Sequence, residues 1–551
     1  MANPPALPQD ATASQQDNRL RELSKSQTRY QYDHEYLDPI PVVKGLPTAE
    51  FFSPLYIFRQ VAQLSVVAAN LAVAKAKTIF DRFDELQDYE DLFPLLPDPS
   101  PIGTFQTDEE FGKQRLAGVN PMVLRRIDEL PSNFPLDQAS FQAVAGPDKT
   151  IGGEAAAGRL FLADYAILEG IELGTYRGQP KHMVAPLALF HWTQPANGGP
   201  GKLMPLAIQL SQQPGPEHPI FTPLHGTSWS VAKIFVQVAE VTQHEMVSHL
   251  GRTHLLIEPF AIATARQLAK NHPLSVLLKP HYRFTLAINK ASKYLLVNKG
   301  GFVDRLFAGT LSGTLSIAKQ SHPENFYDLA APTELKSRGV DDLDILPEYP
   351  YRDDALLIWD AVAAFVKNYL ALHYGTDRHV LNDYELQNWF GELTADTGGR
   401  LHGVTRSGHL NTRDELSDLI TQLIFTCGPQ HAAVNFPQYD YLAYAPNMPF
   451  AAYTAPPADM SPGDETTLMD LLLPMNRASA QILIIRALTA FRTERLGDYG
   501  SNYFADLQTR EVVGEFQTEL LGAEASIDER NQVREPYHFL KPSMIPNSGS
   551  I

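Results

Sequence analysis

The chain has almost no cysteine. Cys427 is the only one among 551 residues, so an internal disulfide is excluded. Its position four residues before His431 favours packing in the core over a role as a reactive thiol. Because a chain without disulfides needs no oxidising compartment, a reducing cytoplasm is the expected location.

Positive charge is also scarce. The chain has 45 lysines and arginines against 63 aspartates and glutamates, which gives a formal net charge of −18 at pH 7. Phosphate backbones and anionic lipid headgroups repel a chain of this charge. The composition therefore argues against nucleic acid as a partner, and against a membrane held by charge alone.

A secretory signal is not evident either. Residues 1–18 are polar and proline-rich, with no basic region followed by an apolar stretch, and we expect them to be disordered. The alanine-rich stretch 51–83 predicts one or two helices. Four residues interrupt its apolar run and argue against a transmembrane span, namely Gln63, Asn70, Lys75 and Lys77.

Two interpretations of the stretch 51–83 remain open. In the first, its helix packs on the body of the protein. In the second, it is a membrane-contact element, because large apolar residues cluster near its start. These residues are Phe51, Phe52, Leu55, Tyr56, Ile57 and Phe58.

Three histidines recur at a strict interval of five residues in the helix-like run 229–254. They are His244, His249 and His254, in a chain with only 17 histidines. Residues five apart on an α-helix lie about 140° apart around the axis, too far to converge on one ion. A π-helical widening brings them together, and this rare geometry is typical of functional sites. The spacing therefore indicates a pair of metal ligands on a distorted helix.

Two other readings of these histidines compete. The first is a zinc hydrolase, whose H-E-x-x-H helix places two histidines four apart. Here the sequence HEMVSH brings the second histidine one residue late, which weakens that reading. The second is that the histidines are ordinary core or surface residues.

A downstream segment adds further candidate ligands. His431 and Asn435 lie four apart in CGPQHAAVNF and so share one face of a helix. That helix is predicted to begin with a capping box formed by Thr412 and Glu415. Pro429 removes a backbone donor two residues before His431, so a kink is expected there. The chain then ends in PNSGSI.

Long collinear segments resemble the lipoxygenases, non-haem iron dioxygenases of polyunsaturated fatty acids. They include HLGRTHLLIEPFAIATARQL, HPLSVLLKPHYRFTLAIN, QHAAVNFPQYDY and the terminal PNSGSI, and the match runs from residue 108 to the C-terminus. The resemblance is to a bacterial type without the N-terminal β-sandwich. It implies a mainly α fold, with a large helical catalytic domain (101–551) that contains small β-sheet elements. A short N-terminal extension (1–100), disordered at its start and then helical, is expected to precede it.

The resemblance also implies the residues of the site. His249, His254 and His431 would be imidazole ligands of one non-haem iron, Asn435 a weaker oxygen ligand, and the terminal carboxylate of Ile551 the fifth. Imidazole suits iron, and one carboxylate leaves the metal able to cycle between Fe2+ and Fe3+. Hydrogen-bonding residues that orient these ligands would be His244, Glu245 and Gln438.

A substrate channel follows from the same resemblance. The residues expected to line it are Leu250, Leu255, Ile288, Leu296 and Val303. Ser292 stands where relatives carry Ala or Gly, a choice that tends to accompany S or R products, so its serine leaves the stereochemistry open. For each channel residue, simple packing in the core is an equal alternative.

The implied activity is the dioxygenation of fatty acids that contain a cis,cis-1,4-pentadiene. Iron-bound hydroxide would remove hydrogen, with no further catalytic side chain, and O2 would add to the radical to give a hydroperoxide. Linoleate, linolenate or arachidonate, free or esterified in membrane lipid, would be the substrate. Two alternatives remain, a hydroperoxide isomerase of the same fold and an inactive lipid-binding protein.

Several elements outside the site are predicted as well. Short strands or buried loops are expected at 159–171, 186–192 and 203–210, and together they suit a small sheet. Ser228 is expected to cap the first central helix, and Pro259 to begin the next.

Overall fold

The computed structural model describes residues 5–77, 83–194, 200–460 and 465–551, and most of its regular structure is α-helix. The α-helices are α1 Ala13–Arg29, α2 Pro54–Lys77, α3 Gln87–Glu90, α4 Asp108–Ala117, α5 Gln138–Ala145, α6 Ile151–Ala156, α7 Thr227–Gln243, α8 Leu256–Gln267, α9 Pro273–Leu278, α10 Thr285–Leu295, α11 Phe302–Leu306, α12 Leu311–Gln320, α13 Ala331–Ser337, α14 Pro350–His373, α15 Asp377–Asn382, α16 Tyr384–Thr394, α17 Arg413–Phe425, α18 His431–Asn435, α19 Gln438–Leu442, α20 Glu465–Leu471, α21 Met475–Thr489 and α22 Leu507–Arg530. Two π-helices, His244–Leu255 and Thr426–Gln430, lie between α7 and α8 and between α17 and α18. The predicted mainly α fold is confirmed.

In the described part of the chain, the strands form one five-stranded antiparallel sheet and two small hairpins. They are β1 Tyr32–Leu37, β2 Ile40–Val43, β3 Arg125–Arg126, β4 Leu160–Asp164, β5 Thr175–Tyr176, β6 Gln179–Pro180, β7 Leu187–Thr193, β8 Lys202–Gln209 and β9 Ile220–Phe221. The larger sheet has the order β3-β4-β7-β8-β9. Its three long strands, β4, β7 and β8, fall on the three stretches where strands were expected, so the small sheet is confirmed.

Helix α4 lies directly on this sheet. A Cβ added to Gly112 would come 1.8 Å from the main-chain oxygen of Leu203 in β8. Only glycine allows this approach of helix to strand, because it has no Cβ.

The start of the chain is ordered where the structure describes it, and the expected disorder is wrong for residues 13–18. Helix α1 begins at Ala13 behind a capping box formed by Thr12 and Gln15. The guanidinium of Arg19, which is buried, donates to both carboxylate oxygens of Glu385 in α16, at 2.6 and 2.9 Å. A paired, buried charge of this kind fastens α1 to the body of the protein. Residues 1–4 lie outside the described part of the chain.

The hairpin β1–β2 follows α1 and packs against α8. No strand was predicted before residue 100. Over the described residues 5–77 and 83–100, the chain forms helices and this hairpin, with no β-sandwich.

Helix α2 confirms the helix predicted within 51–83, of which residues 78–82 lie outside the described part. One face packs inward: Asn70, fully buried, donates to the carbonyl of Leu92 at 2.7 Å and accepts from the amide of Leu95 at 2.8 Å. The opposite face is apolar and exposed. By length and hydropathy, Pro54–Ala76 and Pro350–His373 would each suffice to cross a membrane, which is weak evidence because core helices pass the same test.

Helix boundaries around the histidine segment differ from the prediction. Helix α7 begins at Thr227 and its N-cap is Gly226, with φ of +56°, so Ser228 is not the cap. Pro259 does not begin α8, which starts three residues earlier as a direct continuation of the π-helix. The capping box of Thr412 and Glu415 at the start of α17 is confirmed.

Candidate metal centre

The π-helix His244–Leu255 brings two of the five-spaced histidines onto one site, as the spacing predicts. The Nε2 atoms of His249 and His254 lie 3.3 Å apart. The wider turn of a π-helix places residues five apart one above the other, which an α-helix does not. His244 stacks on His249, with ring centroids 5.8 Å apart, but its Nε2 donates to the carbonyl of Val434 at 2.7 Å. His244 therefore faces away from the other two.

The second π-helix, Thr426–Gln430, delivers His431. It contains Pro429, whose missing N–H interrupts the regular helical hydrogen bonds, so the expected irregularity before His431 takes the form of a widened turn. The Nε2 atom of His431 lies 3.1 Å from that of His254. The ligand atoms of all three histidines are within 4.8 Å of one another.

These three imidazoles suit a transition-metal ion. Nitrogens bound at about 2.1 Å to one ion lie about 3 Å apart when the bonds are at right angles, which is close to the spacing of His254 from His249 and from His431. Burial lowers the pKa of His249 to about 4 and that of His254 to about 3, and it also lowers the pKa of His431. At neutral pH the rings are therefore uncharged and can offer lone pairs.

The C-terminal residue lies beside the three histidines. Ile551 is 3% exposed and lines a cavity together with His249 and His254, and its main chain hydrogen-bonds to His431. The preceding Gly549 passes close to His431, because a Cβ there would come 3.2 Å from the ring. The structure thus brings the terminal residue to the three histidines, as the resemblance implies.

Asn435 lies one helical turn after His431 and is fully buried. Its amide nitrogen donates to the carbonyl of Leu488 at 2.9 Å, and its oxygen accepts from Gln438 at 3.1 Å. These two contacts fix the plane of the amide, so its oxygen has a defined direction.

An apolar cavity opens beside the histidines. It is lined by Leu250, Ile288, Leu296 and Val303, four of the five predicted channel residues, and by Ser292. The fifth, Leu255, instead lines an adjoining cavity, to which Leu250 and Ser292 also contribute. The hydroxyl of Ser292 donates to the carbonyl of Asn289 at 2.9 Å, which holds the side chain against its own helix.

Most of the sequence matches known proteins. Residues 97–546 match the family model described as Lipoxygenase. The chain belongs to the lipoxygenase family. A linoleate 9/13-lipoxygenase of Pseudomonas aeruginosa is 39% identical over 494 residues, which are 85% of this chain and 70% of the relative. A human hydroperoxide isomerase is 36% identical over 449 residues, which are 81% of this chain and 62% of the relative.

The fold of this lipoxygenase is also that of solved relatives. A lipoxygenase crystallised without oxygen in complex with arachidonate superposes with a TM-score of 0.93 at 32% identity. The match covers 100% of this chain and 84% of the other. The chain is thus an oxidoreductase of the dioxygenase class.

Hydrogen bonds orient the histidines of this lipoxygenase. Nδ1 of His249 donates to the carboxylate of Glu245 at 3.1 Å, and the amide nitrogen of Gln438 lies 3.3 Å from the same atom. Burial raises the pKa of Glu245. Glu245 and Gln438 therefore stand next to the histidines, as the resemblance implies, and His244 supports the helix that carries Asn435.

The sequence did not predict the hydrogen-bond partner of His254. Nδ1 of His254 donates to the side-chain oxygen of Asn289 at 3.0 Å, and the amide nitrogen of Asn289 donates to Glu258 at 2.7 Å. Glu258 also accepts from the amide of Val43 in β2 at 2.6 Å. Glu258 stands four residues after His254, and this helical spacing could have indicated that the two lie on the same face. Asn289 has no comparable signal, because it lies on another helix.

Proposed function

We propose that this lipoxygenase adds O2 to polyunsaturated fatty acids with a cis,cis-1,4-pentadiene, using one non-haem iron. The ligands would be His249, His254, His431, Asn435 and the terminal carboxylate of Ile551. The observation that carries the proposal is the convergence of three buried, neutral imidazoles at the wall of an apolar cavity. When bound, an iron that cycles between ferrous and ferric states supplies the one-electron chemistry for removing a weakly bound hydrogen.

The chain's own part is to position the fatty acid. Among the described residues that line the cavity, none is lysine or arginine, and the ionisable ones lie at the metal centre. Shape and apolar packing therefore select which carbon meets the metal. Leu250, Ile288, Leu296 and Val303 would hold the pentadiene in place and limit which of its carbons O2 can reach.

Relatives support this substrate class. By its name, the Pseudomonas protein acts on linoleate, and the superposed crystal structure contains arachidonate. The lining of the cavity is mostly apolar, as the hydrocarbon chain of a fatty acid requires. We therefore propose linoleate, linolenate and arachidonate as substrates.

A hydroperoxide isomerase is the second candidate. The human relative at 36% identity carries that activity in its name. Product analysis separates the two functions, because a dioxygenase consumes O2 with linoleate whereas an isomerase converts only the preformed hydroperoxide. A third candidate, an inactive lipid-binding protein, is disfavoured because all three histidines converge.

The deciding experiment is metal analysis of the purified chain, together with O2 uptake and conjugated-diene absorbance with linoleate and arachidonate. About one iron per chain with O2 consumed and diene formed is the expected result. Iron without O2 uptake would favour the isomerase. Zinc, or no metal, would refute the iron centre.

We further propose that the protein is cytoplasmic and associates with membranes peripherally through α2, which would give access to esterified fatty acids. Four apolar residues at its start are more than half exposed, namely Leu55, Ile57, Phe58 and Val61. The binding of a helix to the headgroup boundary of a bilayer strengthens with the apolar area that it buries. Tyr56, grouped with these residues in the sequence, is only 5% exposed and turns inward.

Sedimentation with phosphatidylcholine vesicles tests the membrane proposal. The double change Leu55→Glu and Phe58→Glu should abolish binding, because each charge makes insertion unfavourable. Leu521→Glu is a matched control, since Leu521 is 71% exposed on α22. Equal binding by both variants and the unchanged protein would contradict the role of α2.

A further inference from the structure

The last residues of the chain are held in place by side chains from several elements. Nδ1 of His281 donates to the carbonyl of Asn547 at 2.9 Å, and the hydroxyls of Thr493 and Ser550 lie 2.8 Å apart. A further contact, on the residue before the last, comes from the other end of the sequence. The hydroxyl of Tyr56 in α2 donates to the carbonyl of Ser550 at 2.7 Å, across 494 positions.

That carbonyl belongs to the peptide group that joins Ser550 to Ile551. The peptide group is planar, so fixing its oxygen also fixes the direction of the Ile551 amide. Only two backbone rotations then separate the held plane from the terminal carboxylate. A bond to the Ser550 carbonyl therefore restricts where the carboxylate of Ile551 can point.

The hydroxyl of Tyr56 is itself firmly placed. Its ring stacks on Phe52 with centroids 4.5 Å apart and planes at 6°. It meets the rings of Phe284 and Phe491 at 5.0 and 5.2 Å. Burial raises the pKa of Tyr56 to about 12, so the hydroxyl remains a donor at physiological pH. Aromatic packing thus leaves this side chain little freedom to release Ser550.

The rest of the first turns of α2 has the opposite character. Leu55 and Phe58, on either side of Tyr56 in the sequence, are 58% and 68% exposed. The exposed first turns of α2 therefore contact the end of the chain through one buried side chain, Tyr56.

We infer that Tyr56 is a positioning residue for the metal centre, which fixes the Ser550–Ile551 peptide and so aims the terminal carboxylate. The inference deepens the proposed function, because it rests on that carboxylate being a metal ligand. The N-terminal segment then contributes a positioning residue to the metal centre. Removing a residue that orients a metal ligand lowers metal affinity or activity by about 10- to 100-fold.

The test compares Tyr56→Phe with Tyr89→Phe. The first variant keeps the aromatic ring and removes only the hydroxyl. Tyr89 is a matched control from the same N-terminal segment: it is 2% exposed, and its hydroxyl donates to the carbonyl of Leu473 at 2.6 Å. Both variants lose one buried hydrogen bond from tyrosine to main chain, so a general loss of stability affects both.

Three quantities are measured on the full chain: iron lost to a competing chelator over time, the electron paramagnetic resonance signal of the ferric protein, and the thermal unfolding midpoint. Tyr56→Phe should lose iron about 10-fold faster or more and should show an altered ferric signal. Tyr89→Phe should keep both properties at a similar unfolding midpoint. Unchanged iron retention and signal in Tyr56→Phe, or equal changes in both variants, would overturn the inference.

A second variant covers the case in which Tyr56→Phe does not fold. Phe491→Leu loosens the packing around the Tyr56 ring and leaves the hydroxyl in place. Faster iron loss with an altered signal supports the inference, and wild-type values refute it. Failure of the proposed function looks different, because the unchanged protein itself would then hold no iron. In that case both proposals fall.

Discussion

Asn289 accepts a hydrogen bond from Nδ1 of His254 at 3.0 Å. The carbonyl acceptor requires the proton on Nδ1, so the lone pair of His254 is on Nε2, the atom that faces His249 and His431. One amide on α10 therefore selects both the tautomer and the ring orientation of this histidine.

Asn289→Ala should reduce iron affinity and activity together by about 10- to 100-fold, because His254 would lose the partner that sets its tautomer. Iron content and diene formation measure the two effects. Asn447→Ala is the matched control: Asn447 is also buried, and it donates to the carbonyl of Tyr441 away from the histidines. Full iron content in Asn289→Ala would contradict the role of this residue.

His254→Ala should remove bound iron and activity together, whereas His244→Ala should retain much of the iron. The reason is that Nε2 of His254 faces the other histidines, while Nε2 of His244 is engaged with the carbonyl of Val434. Metal analysis of the two purified variants measures this difference in bound iron. Equal loss of iron from both variants would mean that the wrong pair of these five-spaced histidines has been assigned as ligands.

Deleting Ile551, or fusing a tag after it, should abolish most iron binding and activity. Gly549 and the main chain of Ile551 lie beside His431, so the end of the chain is held at the histidines. Either change moves the terminal carboxylate away from this buried position. A tag at the N-terminus is the control, because it leaves the carboxylate in place. Full activity of the C-terminally tagged protein would exclude the carboxylate as a ligand.

Stability should fall on acidification, and His281 should contribute to the fall. Burial lowers its pKa to about 4, so the folded protein does not bind the proton that the unfolded chain takes up near pH 6.5. The contribution is therefore lost as the pH falls from about 6.5 to about 4, and it amounts to ~2 kcal/mol between pH 7.5 and pH 5.

Urea unfolding at these two pH values measures this contribution. In His281→Gln the difference between the two pH values should shrink by that amount, since glutamine does not titrate. A pH dependence identical to that of the unchanged protein would contradict the assignment to His281. The iron content must be matched between samples, because bound metal stabilises the folded state.

Much of the site could be predicted from the spacing of residues within single helices. The interval of five residues between His249 and His254 demands a π-helix if the two are to meet, and the structure has that helix. The capping box at Thr412 and the three sheet strands were equally visible, since each is set by residues within one turn or one strand. The order of residues 13–18 was missed although Thr12 and Gln15 form a capping box there, because the buried pairing of Arg19 with Glu385, 366 positions away, cannot be read from the sequence.

The sequence by itself determined which groups are available to a metal ion, the local helical geometry that pairs two of them, and the family to which the chain belongs. Tertiary structure decided how those groups are aimed. Asn289 lies 35 positions from His254, and Tyr56 lies 494 positions from Ser550. Hydrogen bonds between distant segments leave no periodic trace along a chain, because they depend on how helices pack and not on the spacing of residues within one helix.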